Sequence, residues 1–231
     1  MTTTEQPLSG TPRTRLGRKR DRAVVDREAL AEVLHAGFVC HLGFVREGAP
    51  VVLPTSYAAD MGPDAPDAPD GTLYLHGSVA AHSLLAAPDQ TVCVTVTHVD
   101  GLVLARSGFD SSMNYRSAVV FGRPRILVDD EKRHALDLLV DHLVPGRAAA
   151  VRAMTRKDLA ATTVLALPLT EVSLKVRDGG VNEEPEDTEL PIWAGVVPLH
   201  LAAGAPQPSP DCALPVPEHV TARVRDLRPP A

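Results

Sequence analysis

The stretch FVCHLGFVREGAPVVLPTSYAA, residues 38–59, decides the fold class of this chain. Two runs rich in β-branched and aromatic residues flank the turn-prone Arg46-Glu47-Gly48, and such runs favour strands. The pattern predicts two neighbouring strands of a hairpin or meander. A third strand-like run, GTLYLHG, follows the insert MGPDAPDAPDG at residues 61–71. Because the insert is a Pro/Asp/Gly repeat, its composition predicts a disordered hairpin tip.

Three further runs favour strands: TVCVTVTHVDGLVLA at residues 91–105, SAVVFGRPRILV at residues 117–128 and TTVLALPLTEVSLKVR at residues 162–177. The first is interrupted near Asp100-Gly101. In the second, Gly122 predicts a bulge, and Pro124 predicts an edge strand or a strand end. The third predicts one last long strand.

Short helices frame these strands. Asp26 precedes REALAEVLHA and Gly37 follows it, as an N-cap and a stop would. Thr155, with Asp158 three residues later, predicts the capping box of another short helix. Regular strand–helix alternation, GxGxxG and GxxxxGK[ST] are absent, so neither a Rossmann nor a P-loop nucleotide site is indicated. The order of elements predicts an α+β fold, an antiparallel β-barrel with peripheral helices.

One longer helix, EKRHALDLLVDHLV, is predicted with Asp129 or Asp130 as its cap. Its apolar stripe consists of Leu136, Leu139, Val140 and Leu143. His134 and His142 stand beside charged residues of this helix, so we expect both at the surface.

Composition excludes several classes of function. The chain has 231 residues, a net charge of −6 and a pI near 5.8, so it lacks the basic field of a nucleic-acid-binding protein. Three widely spaced cysteines argue against a disulfide framework and a zinc site. No apolar run approaches the roughly 18 residues of a membrane span. We therefore expect a cytoplasmic protein without a metal and with neither nucleic acid nor membrane as a partner.

The chain divides into three parts by composition. Residues 1–22 form a basic N-terminal arm, which is either a solvated extension or a segment that folds over a partner subunit or an anionic ligand. Residues 23–199 form one domain. Residues 200–231 form a Pro-rich tail that we expect to be extended or disordered. The apolar segment PIWAGVVPL, just before the tail, is expected to dock on the domain.

The stretch LYLHGSVAAHSLLA, residues 73–86, is the first candidate site. His76 and His82 flank Gly77-Ser78, and Ser78 is a suitable N-cap for the helix-like residues that follow. A helix N-terminus there would attract an anion. The same letters also fit an ordinary turn with two solvated imidazoles.

The second candidate site is SMNYRSAVVFGRPR, residues 112–125. Its polar beginning stands directly before a β-run, so Asn114, Arg116 and Ser117 would project from the mouth of a strand. A fixed guanidinium at Arg116 suits bidentate phosphate recognition. The alternative is a solvated loop followed by a core strand.

Taken in order, GFVCHLGFVREGAPVVLPTSYAAD, LYLHGSVAAHSLL, CVTVTHVDGLVLARSGFDSSMNYRSAVVFGRPR and LPIWAGVVPL resemble the pyridoxamine 5′-phosphate oxidase-like flavoproteins. The nearest branch is the FMN-binding split-barrel group that includes nitroimidazole-resistance proteins. The resemblance implies a six-stranded Greek-key split barrel and a homodimer with FMN at the subunit interface. The C-terminal arginine segment of the oxidases that act on vitamin B6 is not evident, so we expect no vitamin B6 oxidation.

Individual positions follow from the same resemblance. The flavin-contacting residues it implies are Pro54, Thr55, Ser56, His76, Gly77, Ser78, His82, Asn114, Tyr115, Arg116, Ser117 and Trp193. In many relatives a Lys or Arg on the short helix pairs with the FMN phosphate, whereas this chain has His82 and Ser83 there. A histidine of ordinary pKa is only partly charged at neutral pH, so the resemblance implies weaker phosphate binding or a phosphate held by arginines elsewhere.

Three hypotheses about function result. The leading one is an FMN-dependent oxidoreductase with a small-molecule substrate, in which the cofactor supplies the redox chemistry. A non-catalytic flavin-binding or sensing protein is the second. The third is haem binding with His76, His82 or His98 as axial ligand. The sequence does not distinguish FMN from the deazaflavin F420.

Overall fold

The computed structural model describes residues 8, 11–63, 65, 67 and 69–228, and within them it leaves out the side chains at positions 82 and 83. The strands of these residues are β1 (Ala23–Val24), β2 (Val39–Arg46), β3 (Ala49–Asp60), β4 (Thr72–Ser78), β5 (Val92–Leu104), β6 (Ser112–Gly122), β7 (Arg125–Ile126), β8 (Thr162–Pro168), β9 (Glu171–Arg177) and β10 (Gly195–Pro198). The α-helices are α1 (Arg27–Ala36), α2 (His82–Ala86), α3 (Asp129–Leu143), α4 (Arg156–Ala161) and α5 (Glu218–Asp226). No helix of the described residues has both the length and the apolar character needed to cross a membrane.

All strand pairs are antiparallel, in the order β1-β9-β6-β5-β2-β3-β4-β8-β7, with β10 on β5. Strands β8 and β9 lie near opposite ends of this order, yet only two residues join them, so the sheet must curl back on itself. A Cβ at Gly122 would lie 2.8 Å from Leu167 Cδ1, which shows that β6 approaches β8 across the opening. The predicted antiparallel β fold with a few helices is confirmed.

The expected count of six strands is not found, because the described residues form ten strands in one open sheet. The predicted last long strand divides at residues 169–170. Its halves have different partners, β4 and β7 for β8 but β6 and β1 for β9. Strands β1, β7 and β10 have only two to four residues, too few for a periodicity signal.

Long-range pairing extends β6 beyond its prediction. The polar residues 112–116, expected as a turn-like lead-in, belong to β6 because β5 and β9 pair with it on either side. The interruption predicted near Asp100-Gly101 is a register shift in β5 between Val99 and Gly101. A Cβ at Gly101 would lie 3.2 Å from Val196 Cγ1, so glycine there lets β10 approach.

Two of the four predicted helix starts are confirmed. The Asp26 side chain accepts a hydrogen bond from Glu28 N at 2.9 Å, and Thr155 and Asp158 form a capping box. The cap predicted for α3 is wrong, since the helix begins at Asp129 itself and no side chain caps it.

The prediction that His142 lies at the surface is also wrong. Its ring is half-buried, packs 5.0 Å from the Tyr57 ring, and Nε2 lies 2.6 Å from Gly37 O. Because a carbonyl can only accept, Nε2 carries the proton and donates it. Burial lowers the pKa of His142 below its ordinary value, in spite of the opposing hydrogen bond to Gly37. The neighbouring α1 and β3, not the sequence of α3, enclose this side chain.

Two apolar layers lie on opposite faces of the sheet. Helix α1 packs Leu30 and Leu34 on the inner face, where alternate residues of β2, β5, β6, β8 and β9 form the main core. Helix α3 packs Leu136 and Leu139 on the outer face over Ala58 and β4. Strand alternation therefore assigns each site residue to one of these two faces.

The Pro-rich tail, expected to be extended or disordered, contains helix α5. Arg223 Nε donates to Leu143 O at 3.0 Å, and its guanidinium lies 4.9 Å from the centre of the Phe38 ring. Local composition does not reveal contacts with distant parts of the chain, and for this reason the helix was not predicted. The boundaries drawn at residues 22 and 199 remain predictions.

Candidate functional site

The outer face of the sheet is only partly covered. Helix α3 covers the part over β4, β8 and the end of β3, where Tyr74 and Val164 are buried. The part over β2, β5, β6, β9 and the start of β3 keeps its side chains exposed or half-buried, and Val39 there is 51% exposed. We call this second part the open face; it comprises Val39, His41, Pro54, Ser56, Thr97, Val99, Tyr115, Ser117 and Lys175.

One cross-strand row crosses the open face and ends under α3. It consists of Lys175, Ser117, Thr97, Val39, Ser56 and His76. Three neighbouring pairs are direct register partners, and the other two follow from the β2–β5 and β3–β4 registers. Thr97 Oγ1 and Ser117 Oγ lie 3.1 Å apart. With strands about 4.8 Å apart, the row from β9 to β3 spans about 19 Å along the sheet.

A cleft adjoins the His76 end of this row. It has a volume of about 490 Å³, and α3 supplies an apolar wall of Leu136, Leu139, Val140 and Leu143. His76 Nδ1 is fully buried and has no hydrogen-bond partner among the described residues. Burial lowers the pKa of His76, so the imidazole is neutral at neutral pH. Arg152, paired with Asp158 at 2.7 Å, lies at the same cleft.

Two cations lie at the other end of the row. Lys175 Nζ is 5.9 Å from the centre of the Tyr115 ring, and Arg22 lies beside the same phenol. Partial burial opposes ionisation of Tyr115, but hydrogen bonding to Arg22 and Lys175 outweighs it and lowers the pKa of the phenol. The open face therefore carries positive charge at its β9 edge and apolar surface at its centre.

Several residues singled out in the sequence point to the inner face. Arg116 Nε and Nη2 lie 3.0 and 2.9 Å from the carboxylate oxygens of Asp100, so this guanidinium already has a bidentate partner. Asn114 is 7% exposed and holds the loop after β9 through Gly179. Thr55 alternates to the same inner face.

The remaining predicted residues lie around the rim. Gly77 and Ser78 end β4, and α2 begins four residues after Ser78, so this serine does not cap the helix. The described residues do not include the side chain of His82. Trp193 is 65% exposed and precedes β10, which pairs with the far end of β5.

Three side chains bind carbonyls at the end of α1. Tyr57 Oη donates to Leu34 O at 2.6 Å, and His98 Nε2 lies 2.9 Å from Val33 O. His142 Nε2 donates to the next turn, at Gly37 O. Helix-end carbonyls lack intrahelical donors, so these contacts stabilise α1. His98 is thereby committed to a structural hydrogen bond.

Sequence reasoning missed Arg22, Thr97 and Lys175 as neighbours of the site. The signal available was alternation, because residues of odd number in β6, in β9 and in β5 up to Val99 share one face. That signal does not say which face is left open, since α1 and α3 decide it.

These features define a class of protein. Its members have a curled antiparallel sheet whose outer face is partly uncovered, with a histidine-bearing cleft beside the uncovered part. A family model described as pyridoxamine 5′-phosphate oxidase matches residues 26–176. A comparison with curated proteins finds no match.

Solved structures show the same fold over most of the chain. The flavocytochrome Anf3 from Azotobacter vinelandii is 32% identical with a TM-score of 0.84, and the match covers 96% of this chain and 99% of that one. A FAD and haem binding protein from Mycobacterium smegmatis is 39% identical with a TM-score of 0.80, and the match covers 87% of this chain and 96% of that one. A candidate 5-nitroimidazole antibiotic resistance protein from Bacteroides thetaiotaomicron shares the fold at 24% identity, with a TM-score of 0.54 and coverage of 67% and 86%. The chain belongs to the pyridoxamine 5′-phosphate oxidase family.

Proposed function

We propose that this chain is a flavin-binding redox protein that holds its flavin on the open face. The cross-strand row from Ser56 to Lys175 carries this proposal. It offers an elongated surface with exposed apolar residues at its centre, hydroxyl groups at Thr97 and Ser117, and cations at one end. A flavin nucleotide has the same sequence of properties: a flat ring, a polyhydroxyl chain and a phosphate. When bound, it supplies the redox chemistry, and the chain supplies orientation.

A second copy of this chain is the proposed cover of the open face. Four apolar side chains on the outer side of the sheet, Val39, Val52, Val99 and Met113, are each at least 44% exposed. Exposed apolar side chains gathered on one face are typical of interaction sites. A homodimer would bury it and enclose the flavin between subunits, as the sequence resemblance implied. Sedimentation of the flavin-loaded protein tests this, and a monomer at micromolar concentration would contradict it.

The identity of the flavin is the next question. The 39% identical relative is named for FAD, whereas the sequence resemblance favoured FMN with deazaflavin as an alternative. We propose FAD as the resident flavin, with FMN as its competitor. Release of the bound cofactor from freshly purified protein, followed by absorbance and mass measurement, distinguishes the three.

Blocking the open face tests where the flavin binds. The change Thr97→Trp places a large side chain in the middle of the row, and we expect flavin binding to be lost. The change Lys157→Trp on an exposed position of α4 is the matched control and should bind flavin normally. Failure of the unmodified chain to bind FMN or FAD would refute the proposed function. Normal binding by Thr97→Trp would refute the proposed location.

Haem is a second proposed cofactor, and His76 is the observation that favours it. A buried, neutral imidazole with an unpartnered ring nitrogen, beside an apolar cleft, fits an axial ligand of haem iron. Two relatives are named as a flavocytochrome and as a FAD and haem binding protein. His76 would bind the iron, the α3 wall would exclude water, and Arg152 would lie near the mouth.

Haemin titration separates His76 from His98. We expect the Soret band of bound haem to be lost in His76→Ala and retained in His98→Ala, because His98 Nε2 is engaged by Val33 O. A band that survives His76→Ala would contradict ligation by this residue.

Catalysis itself needs a separate test, because the titratable side chains of the row, His76 and Lys175, are proposed as cofactor ligands and not as acids or bases. A non-catalytic flavin-binding or sensing protein is therefore the alternative. Turnover of a quinone or a nitro compound with a reduced nicotinamide, by protein loaded with its flavin, would exclude the alternative. Tight flavin binding without turnover of any tested acceptor would favour it.

A further inference from the structure

We propose that Arg22 and Lys175 bind the phosphate end of the flavin, so that the basic N-terminal arm is part of the cofactor site. This inference rests on the proposed function and adds a residue-level orientation to it. The ring would lie toward Ser56 and the phosphate toward β9. Neither the arm nor β9 was among the flavin-contacting segments implied by the sequence.

Position is the first argument. Lys175 belongs to the row itself, directly opposite Ser117, and Ala23 is its register partner on the other side. Arg22 immediately precedes Ala23, so both cations stand at one edge of the open face. The Tyr115 ring centre lies 5.9 Å from Lys175 Nζ, so its hydroxyl is a further donor at this edge.

Availability of charge is the second argument. No carboxylate of the described residues lies within 4.0 Å of the Arg22 guanidinium or the Lys175 ammonium group, whereas eight arginines form such ion pairs. Arg177, on the same face, donates to Asn114 Oδ1 and to the carbonyls of Gly179 and Gly180. A phosphate would give Arg22 and Lys175 the anionic partner that they lack.

Elimination of Arg116 is the third argument. This arginine was the side chain expected from the sequence to bind the phosphate, together with backbone N–H groups near Ser78, but it points to the inner face and is held by Asp100 through two hydrogen bonds. Removing it from Asp100 would leave a half-buried carboxylate unpaired. Lys175 and Arg22 could bind a phosphate without leaving a carboxylate unpaired.

The arm is also held in place, which gives Arg22 a defined position. Leu8 is buried, and its N–H donates to Val25 O at 2.8 Å. Thr11 Oγ1 and Arg13 both bind the Glu171 carboxylate, at 2.5 Å for the hydroxyl. Residues 1–22 contain six basic and two acidic residues in a chain of net charge −6, so positive charge is concentrated at this edge. An anchored arm loses little further conformational freedom when it binds an anion.

Riboflavin and FMN differ only in the phosphate and provide the test, and FAD is titrated beside them. The full-length apoprotein is titrated with riboflavin, FMN and FAD, and dissociation constants are taken from quenching of flavin fluorescence. We expect Arg22→Gln and Lys175→Gln each to weaken FMN and FAD by about tenfold, as expected when a charge-assisted hydrogen bond is removed. Riboflavin affinity should stay within about twofold, because riboflavin has no phosphate.

Matched controls separate specific contact from general charge loss. Arg18→Gln removes the same charge from an exposed position of the same arm, and Lys157→Gln removes a lysine from α4. Both should leave FMN affinity unchanged. Lys175→Arg keeps the charge and should retain FMN binding. A thermal unfolding midpoint near that of the unmodified protein confirms that each variant is folded.

The outcomes are distinguishable from those of the proposed function. Equal weakening of riboflavin and FMN would overturn the inference, because it would show a structural role for these cations. Unchanged FMN affinity in both variants, or an equal effect of Arg18→Gln, would also overturn it while leaving flavin binding intact. If the unmodified chain binds none of the three flavins, the inference and the proposed function fail together.

Discussion

A Cβ added at Gly37 would make a closer contact than one added at any other described glycine, so the change Gly37→Ala tests how the end of α1 is packed. A Cβ at this position would lie 2.6 Å from Tyr57 Oη, 2.9 Å from His98 Cε1 and 3.2 Å from Val96 Cγ1. The φ angle of Gly37 is −99°, so alanine meets no backbone strain and the effect isolates the side-chain clash.

The expected loss of stability follows from these contacts. Overpacking a rigid core costs about 1–3 kcal/mol. The Tyr57 and His98 side chains that must move both donate to α1 carbonyls, and each such hydrogen bond contributes about 0.5–1.5 kcal/mol. We therefore expect Gly37→Ala to lower the free energy of unfolding by about 2–6 kcal/mol.

Urea unfolding followed by circular dichroism measures this change, with the slope of the transition checked for constancy. Gly17→Ala is the matched control, because no atom lies within 4 Å of a Cβ there and its φ is not positive. A loss below about 1 kcal/mol in Gly37→Ala would refute the reasoning, since it would show that the junction relaxes freely.

Three smaller predictions concern single interactions. Tyr57→Phe removes the hydrogen bond to Leu34 O and should lower the free energy of unfolding by about 1 kcal/mol, measured in the same way. Because the pKa of His142 is lowered in the folded state, the unfolded chain binds protons more readily, and stability should fall as the pH drops below about 6.5. In His142→Gln the loss of stability between pH 7.5 and 5.5 should be smaller, and an unchanged loss would contradict the assignment. Arg116→Met, paired with Asp100→Asn to avoid an orphaned carboxylate, should leave FMN affinity within about twofold; a tenfold loss would return Arg116 to the phosphate site.

Local signals in the sequence predicted much of the secondary structure. Asp26 and the Thr155–Asp158 pair depend on neighbours within three residues, so their helices were predictable at their starts. The interruption of β5 near Gly101 was visible for the same reason. The segment around α5 shows the limit, because contacts through Arg223 with α3 and Phe38 hold it.

The candidate site likewise has a part that the sequence predicted and a part that it did not. The sequence placed Ser56, His76 and Ser117 near a cofactor through family resemblance, and the register brings these three into one row. It did not reveal that Arg116 faces inward to Asp100. Adjacent residues of a strand point to opposite faces of the sheet. The residues of a contiguous motif therefore cannot all line a site on one face.

The sequence by itself determined the antiparallel β class, the helix starts that depend on short spacing, and membership of the family. Only the tertiary structure decided which side of the sheet stays open, which cations lie at its edge, and that His142 is enclosed. The physical reason is the separation along the chain of the residues that interact. Caps and alternation act over a few residues, whereas the covering of a face by α1 or α3, and the pairing of β9 with β6 rather than β8, depend on contacts between segments far apart in the chain.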